Sequence, residues 1–175
     1  MISNSSDLKR LVRDIPDFPK KGIIFKDITP ILKSPEALQF AVDELADLLE
    51  GAHPDQIVGI ESRGFIFSSI LAYKLKAGFI PVRKRGKLPA QTIRTSYQLE
   101  YGENELEIHQ DAVFEGMRVA IVDDLLATGG TMGATIQLIE RCGAQIVELA
   151  FLIELTGLKG RERLTPHPAI SLIQY

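Results

Sequence analysis

In the last third of the chain, two adjacent acids precede a glycine-rich loop, with three residues between them. Asp123 and Asp124 come after the apolar run 119–122, and residues 128–131 are Thr-Gly-Gly-Thr. Glycines let backbone N–H groups approach a phosphate, and the N-terminal end of a helix favours an anion. Two carboxylates would repel that phosphate, but they suit the vicinal hydroxyls of a ribose, with or without a bound Mg²⁺.

This order of residues indicates a site for a ribose 5-phosphate, with the acids on the sugar and the loop on the phosphate. The alternative is an ordinary strand–turn–helix connection capped by Thr131. The residues assigned to the sugar phosphate are Asp123, Asp124, Ala127, Thr128, Gly129, Gly130 and Thr131.

Strands and helices that alternate along the chain would position this loop. Parallel strands joined by helices place ligands outside their carboxyl ends, where Asp123 stands. Two alternating polar stretches, 92–99 and 105–109, predict a β-hairpin or mobile flap joined through Gly102–Asn104. Pro81 argues against a central position for its strand, because proline cannot donate to the ladder.

The pattern as a whole predicts an α/β fold, with a mostly parallel twisted sheet flanked by helices. Strands are expected at 57–60, 79–82, 119–122 and 146–153, and helices at 7–15, 34–51, 65–76 and 131–142.

Length and composition limit the classes of function. The 175 residues fit one domain, and 45% hydrophobic with 25% charged residues is typical of a globular protein. Lys and Arg total 20 and Asp and Glu 23, and the net charge of -3 argues against a general nucleic-acid binder. One cysteine excludes an internal disulfide framework. We expect a cytoplasmic protein, because the sequence has neither signal-peptide features nor a membrane-length apolar run.

Several segments resemble one enzyme family. The run 119–131 resembles the phosphoribosyl-pyrophosphate-binding motif of the type I phosphoribosyltransferases. Other segments resemble the adenine-specific members, in the same order along the chain: Asp17–Pro19 with Gly22–Pro30, Glu61–Phe65, Arg83–Pro89, Tyr97–Gly102 and Leu155–Arg161. The resemblance covers about residues 14–175. It implies a single domain over 1–175, with a short N-terminal base-binding hood at about 1–35 and a flexible flap at about 83–110.

The resemblance implies transfer of the 5-phosphoribosyl group from phosphoribosyl pyrophosphate to adenine, which gives AMP and pyrophosphate in purine salvage. It also implies Mg²⁺, held mainly through substrate and water, and a homodimer. Positive charge builds on the sugar while pyrophosphate leaves, so catalysis depends on positioning and electrostatics. Arg63, Lys84 and Lys87 are assigned to the pyrophosphate, and Arg63 also to catalysis. A cis peptide bond is implied between Ser62 and Arg63.

Base recognition is assigned by resemblance to Ile24, Phe25 and Lys26 in the hood. In the family the aromatic ring packs on the base, while backbone groups at the flanking positions read its edge. Lys26 stands where family members often carry Arg. Ala127 stands where 6-oxopurine members place an acid for the N7 proton, which favours adenine as the base.

The flap supplies the remaining catalytic candidates. Glu100 is assigned as the general base or acid for the adenine proton, and Tyr101 would cover the reacting bond when the flap closes.

Three other functions remain open at this stage. A non-catalytic sensor of phosphoribosyl pyrophosphate would usually add a nucleic-acid-binding segment or a basic face. An enzyme for another purine is disfavoured by Ala127. A dinucleotide-binding oxidoreductase is weaker still, since no Gly-x-Gly-x-x-Gly follows the first predicted strand.

Overall fold

Two sheets of different size organise the chain. The computed structural model describes residues 2–99 and 102–175. The chain divides into two compact units, Met1–Glu44 and Leu45–Tyr175. Within the described residues, the first unit carries a two-stranded sheet and the second a seven-stranded sheet. The expectation of one domain over 1–175 stays a prediction.

The first unit pairs two short strands that the sequence did not predict. Its elements are α1 (Ser5–Leu11), β1 (Arg13–Pro16), β2 (Ile24–Asp27) and α2 (Thr29–Lys33). Asn4 caps α1, because its side chain accepts a hydrogen bond from the Asp7 N–H at 3.1 Å. The predicted helix over 7–15 is wrong in its second half. Val12 is extended, and the following residues pair antiparallel with β2, from Arg13 opposite Asp27 to Pro16 opposite Ile24.

The helix expected at 34–51 is confirmed as α3 (Pro35–Glu50). Its first turn has the expected capping, since the Ser34 hydroxyl accepts from the Ala37 N–H at 3.3 Å. Ser34 also accepts from the Leu38 N–H through its backbone carbonyl. The helix stops directly before Gly51, as the sequence indicates.

The second unit is built on a mostly parallel sheet. Its strands are β3 (Gln56–Ile60), β4 (Gly78–Lys84), β5 (Thr92–Leu99), β6 (Gly102–His109), β7 (Arg118–Leu126), β8 (Gln145–Glu154) and β9 (Ala169–Gln174). Across the sheet they follow the order β5-β6-β4-β3-β7-β8-β9. Strands β4, β3, β7, β8 and β9 pair in parallel, whereas the hairpin β5–β6 and its contact with β4 are antiparallel. The predicted fold class is confirmed.

Helices cover both faces of this sheet. They are α4 (Gly64–Lys74) and α5 (Gly130–Arg141), and two 3₁₀ turns follow β8 at Thr156–Leu158 and Gly160–Leu164. Val58 and Ile60 pack in the same apolar cluster as Met132 of α5. Gly59, between them, faces α4, where an added Cβ would overlap the Ser68 hydroxyl. Alternate residues of β3 therefore face the two helices.

Pro81 lies inside the sheet, contrary to expectation. Strand β4 pairs with β3 from Gly78 to Val82, and its recorded pairing with β6 is at Arg83 and Lys84. Pro81 thus lies in the part of β4 whose recorded pairing is with β3 alone. The missing N–H of proline is tolerated there, although the strand as a whole has a neighbour on each side.

The hairpin is confirmed, with one change at its turn. Residues Gly102–Asn104, expected as the connection, belong to β6, and Leu99 pairs with Gly102.

In the described ranges, no helix is long and apolar enough to cross a membrane.

Candidate active site

A cavity of about 80 Å³ lies where β7 ends and α5 begins. The sequence-predicted residues Asp123 and 127–131 all line it. Leu125, Leu126 and Met132 complete the wall. The structure thus brings one predicted acid and the whole predicted phosphate loop to a single pocket at the carboxyl end of a central strand, as ligand sites in such sheets require.

The loop leaves the start of α5 open to an anion. Gly129 is the N-cap residue with φ +78°, a left-handed backbone conformation that glycine adopts without strain. No side chain caps the helix, and Thr131 lies inside it rather than at its cap. The first N–H groups of a helix have no partners within the helix, so the start of α5 presents donors and a positive dipole end at the cavity.

The two acids point to different surroundings, because successive side chains on a strand face opposite sides. Both belong to β7, which extends beyond the predicted strand to Leu126. Asp123 lines the cavity, and its Oδ1 accepts from the Asp124 N–H at 2.9 Å. Asp124 is only 4% exposed, and its Oδ2 lies 2.7 Å from Nε of Arg63. Asp124 therefore meets a cation of this chain rather than the cavity wall.

Burial changes the acidity of both carboxyls. Burial raises the pKa of Asp123 well above its usual value, and the charge of Asp124 raises it further. Burial also raises the pKa of Asp124, against the opposing effect of the Arg63 guanidinium. Burial makes the ionised form of Asp123 unfavourable. A hydroxyl or cation that approached Asp123 would offset this free-energy cost of ionisation, as a ligand does at a binding site.

Arg63 is fixed between a strand and a helix. It is the N-cap residue of α4, and Gly64 follows it at the first helical position. An added Cβ on Gly64 would lie 2.7 Å from Oδ1 of Asp123, so a glycine is needed for α4 to approach β7 this closely. A cis peptide bond that does not involve proline lies between Glu61 and Ser62. The implied cis bond between Ser62 and Arg63 was wrong by one residue.

The basic segment Arg83–Lys87, which begins at the end of β4, is held by a carboxylate. Oε2 of Glu61 accepts from Nε of Arg83 at 3.0 Å and from the Lys84 N–H at 3.2 Å. Arg83 in turn donates to the Lys87 carbonyl at 2.9 Å. The side chains of Lys84 and Lys87 are exposed. These bonds fix the backbone of both predicted pyrophosphate ligands and leave their ammonium groups at the surface.

Glu107 is a second organising carboxylate, which the sequence reasoning missed. It is completely buried, and its Oε1 accepts from the Lys87 and Leu88 N–H groups at 2.9 and 3.0 Å. Its Oε2 lies 3.2 Å from Nε of Arg94. Burial alone would raise the pKa of Glu107, but backbone donors and Arg94 hold it below its usual value. Because side chains alternate along β6, Glu105 and Glu107 lie on the same face. The sequence therefore offered no signal to show which of the two is buried.

The hairpin reaches the phosphate loop through a residue without a predicted role. The Tyr97 hydroxyl lies 3.4 Å from Oγ1 of Thr131, and the Tyr97 ring lies beside Gly130. Further along, the Arg141 guanidinium of α5 donates to the Arg94 carbonyl at 2.7 Å. Glu100 and Tyr101, the predicted catalytic residues of the flap, lie outside the described residues.

The predicted adenine residues lie on β2 in the first unit. Ile24 is 56% exposed, and the Phe25 ring packs edge-on against Phe18 with centroids 5.2 Å apart. Nζ of Lys26 lies 2.7 Å from Oδ1 of Asp14 across the two-stranded sheet. Within this unit an aromatic ring and an exposed aliphatic side chain stand next to each other, and the neighbouring cation is paired with an acid.

Comparison with known proteins identifies the family. The family model described as the phosphoribosyl transferase domain matches residues 28–169. This chain belongs to the phosphoribosyltransferase family. Among curated relatives of this phosphoribosyltransferase, the adenine phosphoribosyltransferase of Synechococcus sp. is 57% identical over 169 residues, covering 97% of this chain and 99% of the relative. That of Carboxydothermus hydrogenoformans has the same identity and coverage.

Solved structures agree with this phosphoribosyltransferase in fold. The adenine phosphoribosyltransferase of Thermoanaerobacter pseudethanolicus is 53% identical with a TM-score of 0.96, covering 98% of this chain and 100% of that one. The enzyme of Saccharomyces cerevisiae, solved with an imino-altritol bisphosphate and adenine, is 42% identical with a TM-score of 0.92. The two chains are covered to 96% and 97%. The predicted family is thereby confirmed, while the roles of individual site residues stay predictions.

Proposed function

We propose that this phosphoribosyltransferase transfers the 5-phosphoribosyl group of phosphoribosyl pyrophosphate to adenine, giving AMP and pyrophosphate. The cavity at the start of α5 carries the proposal, because it joins an open helix N-terminus to the carboxylate of Asp123. A phosphate and a sugar hydroxyl need these two kinds of partner side by side. The choice of adenine is supported by relatives that share that name at 57% identity over nearly the whole chain.

The charges of the site suit a displacement at the anomeric carbon. Asp123 would accept hydrogen bonds from the ribose hydroxyls and stabilise the positive charge that develops on the sugar. Lys84 and Lys87 would take up the charge of the departing pyrophosphate. Arg63 would join them at the pyrophosphate, and its ion pair with Asp124 would hold the guanidinium in place.

Mg²⁺ fits this site through the substrate. The described residues hold no group of three or more His, Cys, Asp or Glu arranged for a metal. Mg²⁺ prefers phosphate oxygens and water with few protein ligands. Asp123 is the carboxylate that would face the hydrated ion, and the ion would neutralise pyrophosphate charge when bound.

Adenine would bind at the hood residues Ile24, Phe25 and Lys26. The ring of Phe25 offers a face for the base, and backbone groups of its neighbours offer donors and acceptors for the edge. The pairing of Lys26 with Asp14 is consistent with recognition through the backbone rather than through this side chain. Ala127 leaves no acid at the loop position that resembles the 6-oxopurine site.

Glu100 and Tyr101 complete the proposal as general base or acid and as cover for the reacting bond. The change Glu100→Ala should lower kcat by about 100-fold or more, since proton transfer by a positioned side chain contributes about that much. The dissociation constant for AMP should change by less than about threefold. Glu103→Ala, which changes another acid of the hairpin, serves as the control. Near-normal turnover of Glu100→Ala would remove Glu100 from the mechanism.

We also propose a cytoplasmic homodimer, on the basis of the family resemblance. Light scattering on the purified chain should give twice the mass of one chain. A monomer mass over the working concentration range would overturn the dimer and leave the chemistry untouched.

The activity is tested by incubating the purified chain with phosphoribosyl pyrophosphate, Mg²⁺ and one base at a time. Adenine should release pyrophosphate and form AMP, whereas hypoxanthine, guanine and xanthine should give neither product. Asp123→Ala, purified in parallel, excludes a contaminating host enzyme. Turnover with a different base would identify another purine enzyme. Binding of phosphoribosyl pyrophosphate without turnover of any base would favour a sensor.

A further inference from the structure

Two glycines pack backbone to backbone behind the phosphate loop. Gly160 starts the second 3₁₀ turn and is buried. An added Cβ on Gly160 would overlap the carbonyl oxygen of Ala127 and lie 3.0 Å from the Gly129 nitrogen. In the reverse direction, an added Cβ on Gly129 would lie 2.6 Å from the Gly160 carbonyl oxygen. Neither glycine can gain a side chain unless one of the two backbones moves.

The segment that carries Gly160 is anchored on both sides. Before it, the Thr156 N–H donates to the Tyr175 carbonyl at 2.9 Å, and the Leu155 N–H donates to the Leu126 carbonyl at the same distance. After it, Arg161 forms a two-point ion pair with Glu154, which is 4% exposed. The hydrogen bonds from Arg161 hold the pKa of Glu154 below its usual value.

The loop borders open space. Residues 127–129 lie between a strand and a helix and line the cavity. A side chain at position 160 would therefore push the loop toward the cavity before it displaced the anchored segment. The backbone N–H groups at the start of α5 would turn with the loop.

We infer that Gly160 is a positioning residue for phosphate binding. Its missing side chain sets how far residues 127–129 lie from the segment behind them, and so where the loop amides point. This inference rests on the proposed function, which assigns the loop to the 5-phosphate of the substrate. It predicts a defect that is specific to the phosphorylated substrate, since adenine has no group for the loop.

Gly157 supplies a matched control three residues earlier in the same segment. An added Cβ there meets nothing within 4 Å, and its backbone conformation is open to other residues. Gly157→Ala and Gly160→Ala add the same methyl group, one to open space and one to the backbone of the loop. Their difference isolates the contact with Ala127 from any general effect of losing a glycine.

The experiment measures KM for each substrate in both variants. Gly160→Ala should raise KM for phosphoribosyl pyrophosphate by about tenfold or more and change KM for adenine by less than about twofold, because small displacements of binding groups have large effects. Gly157→Ala should match the wild type. A normal KM for phosphoribosyl pyrophosphate in Gly160→Ala, or equal increases for both substrates, would overturn the inference.

Calorimetry with ribose 5-phosphate separates this inference from the proposed function. Gly160→Ala should bind that probe at least about tenfold more weakly than Gly157→Ala, whether or not the wild type forms AMP. If Gly160→Ala does not fold, Arg161→Lys replaces it, because lysine keeps the charge and loses the two-point pairing with Glu154. Arg161→Lys should weaken binding of the probe by about threefold, and unchanged binding would overturn the inference.

Discussion

Asp123 and Asp124 are neighbours in the chain but meet different partners. Asp123 lines the cavity, whereas Asp124 is buried against the Arg63 guanidinium. Without the charge of Arg63, Asp124 would be a second uncompensated carboxylate next to the first. The ion pair thus allows two adjacent acids to be buried on one strand, and it leaves Asp123 to bind a ligand.

The raised pKa of Asp123 predicts how stability depends on pH. The folded protein holds the Asp123 proton over a pH range in which the unfolded chain, with a pKa near 3.8, has lost it. Folding stability from this group therefore falls as pH rises through that range. Asp123→Asn removes the effect, so the variant should gain stability relative to the wild type as pH rises above the unfolded pKa near 3.8, while losing activity.

Urea unfolding at several pH values measures this difference. Asp111→Asn is the control, since Asp111 is exposed and its variant should follow the wild type at every pH. If the difference between Asp123→Asn and the wild type is independent of pH, Asp123 is not a carboxyl with a raised pKa.

At the scale of elements, the hairpin and the basic segment form one structure around Glu107. This buried carboxylate accepts hydrogen bonds from Lys87 and Leu88 and pairs with Arg94 of β5. The hairpin thus fixes the backbone at Lys87. A shift of the hairpin would move a residue that we assign to the pyrophosphate.

Glu107→Gln should lower the free energy of unfolding at pH 7 by about 1–3 kcal/mol, because one carboxylate oxygen becomes a donor that faces other donors. KM for phosphoribosyl pyrophosphate should rise as well. The lowered pKa of Glu107 means that its contribution is present above the unfolded pKa of about 4.5 and is lost as pH falls through the folded value. The difference between wild type and variant should therefore shrink in acid.

Glu105→Gln is the matched control for this prediction. Glu105 lies two residues away on the same face of β6 and pairs with Arg85, whose side chain is 64% exposed. Exposed ion pairs contribute little, so this variant should stay within about 1 kcal/mol of the wild type. Equal losses in the two variants would show that burial of Glu107 has no special effect.

Sequence signals predicted those helices and strands whose determinants lie within the element itself. The cap at Ser34 and the apolar run before Asp123 gave α3 and β7 to within a few residues. The pairing of β1 with β2 was missed because its determinants lie on two separated segments, while the spacing at 7–15 also fits a helix. The contacts of Gly160 with Ala127 and of Arg63 with Asp124 are likewise long-range, and no local pattern specifies them.

At the scale of the whole molecule, the small net charge does not describe the charges at the site. The chain carries 20 basic and 23 acidic residues, a balance that gives little general attraction for polyanions. Several acids of the second unit fix basic side chains or their backbone, as Glu61 and Glu107 do in the basic segment Arg83–Lys87. At the site itself, the cations that we assign to a ligand are Arg63, Lys84 and Lys87.

This distribution predicts a salt effect on one substrate only. Raising NaCl from about 0.1 M to about 1 M shortens the screening length from about 10 Å to about 3 Å. KM for phosphoribosyl pyrophosphate should then rise severalfold at constant free Mg²⁺, while KM for uncharged adenine stays within about twofold. Lys87→Gln should reduce the salt dependence, and Lys33→Gln, the same change at an exposed lysine of α2, should not. Equal salt effects on the two substrates, or in the two variants, would show that Lys87 does not bind the pyrophosphate.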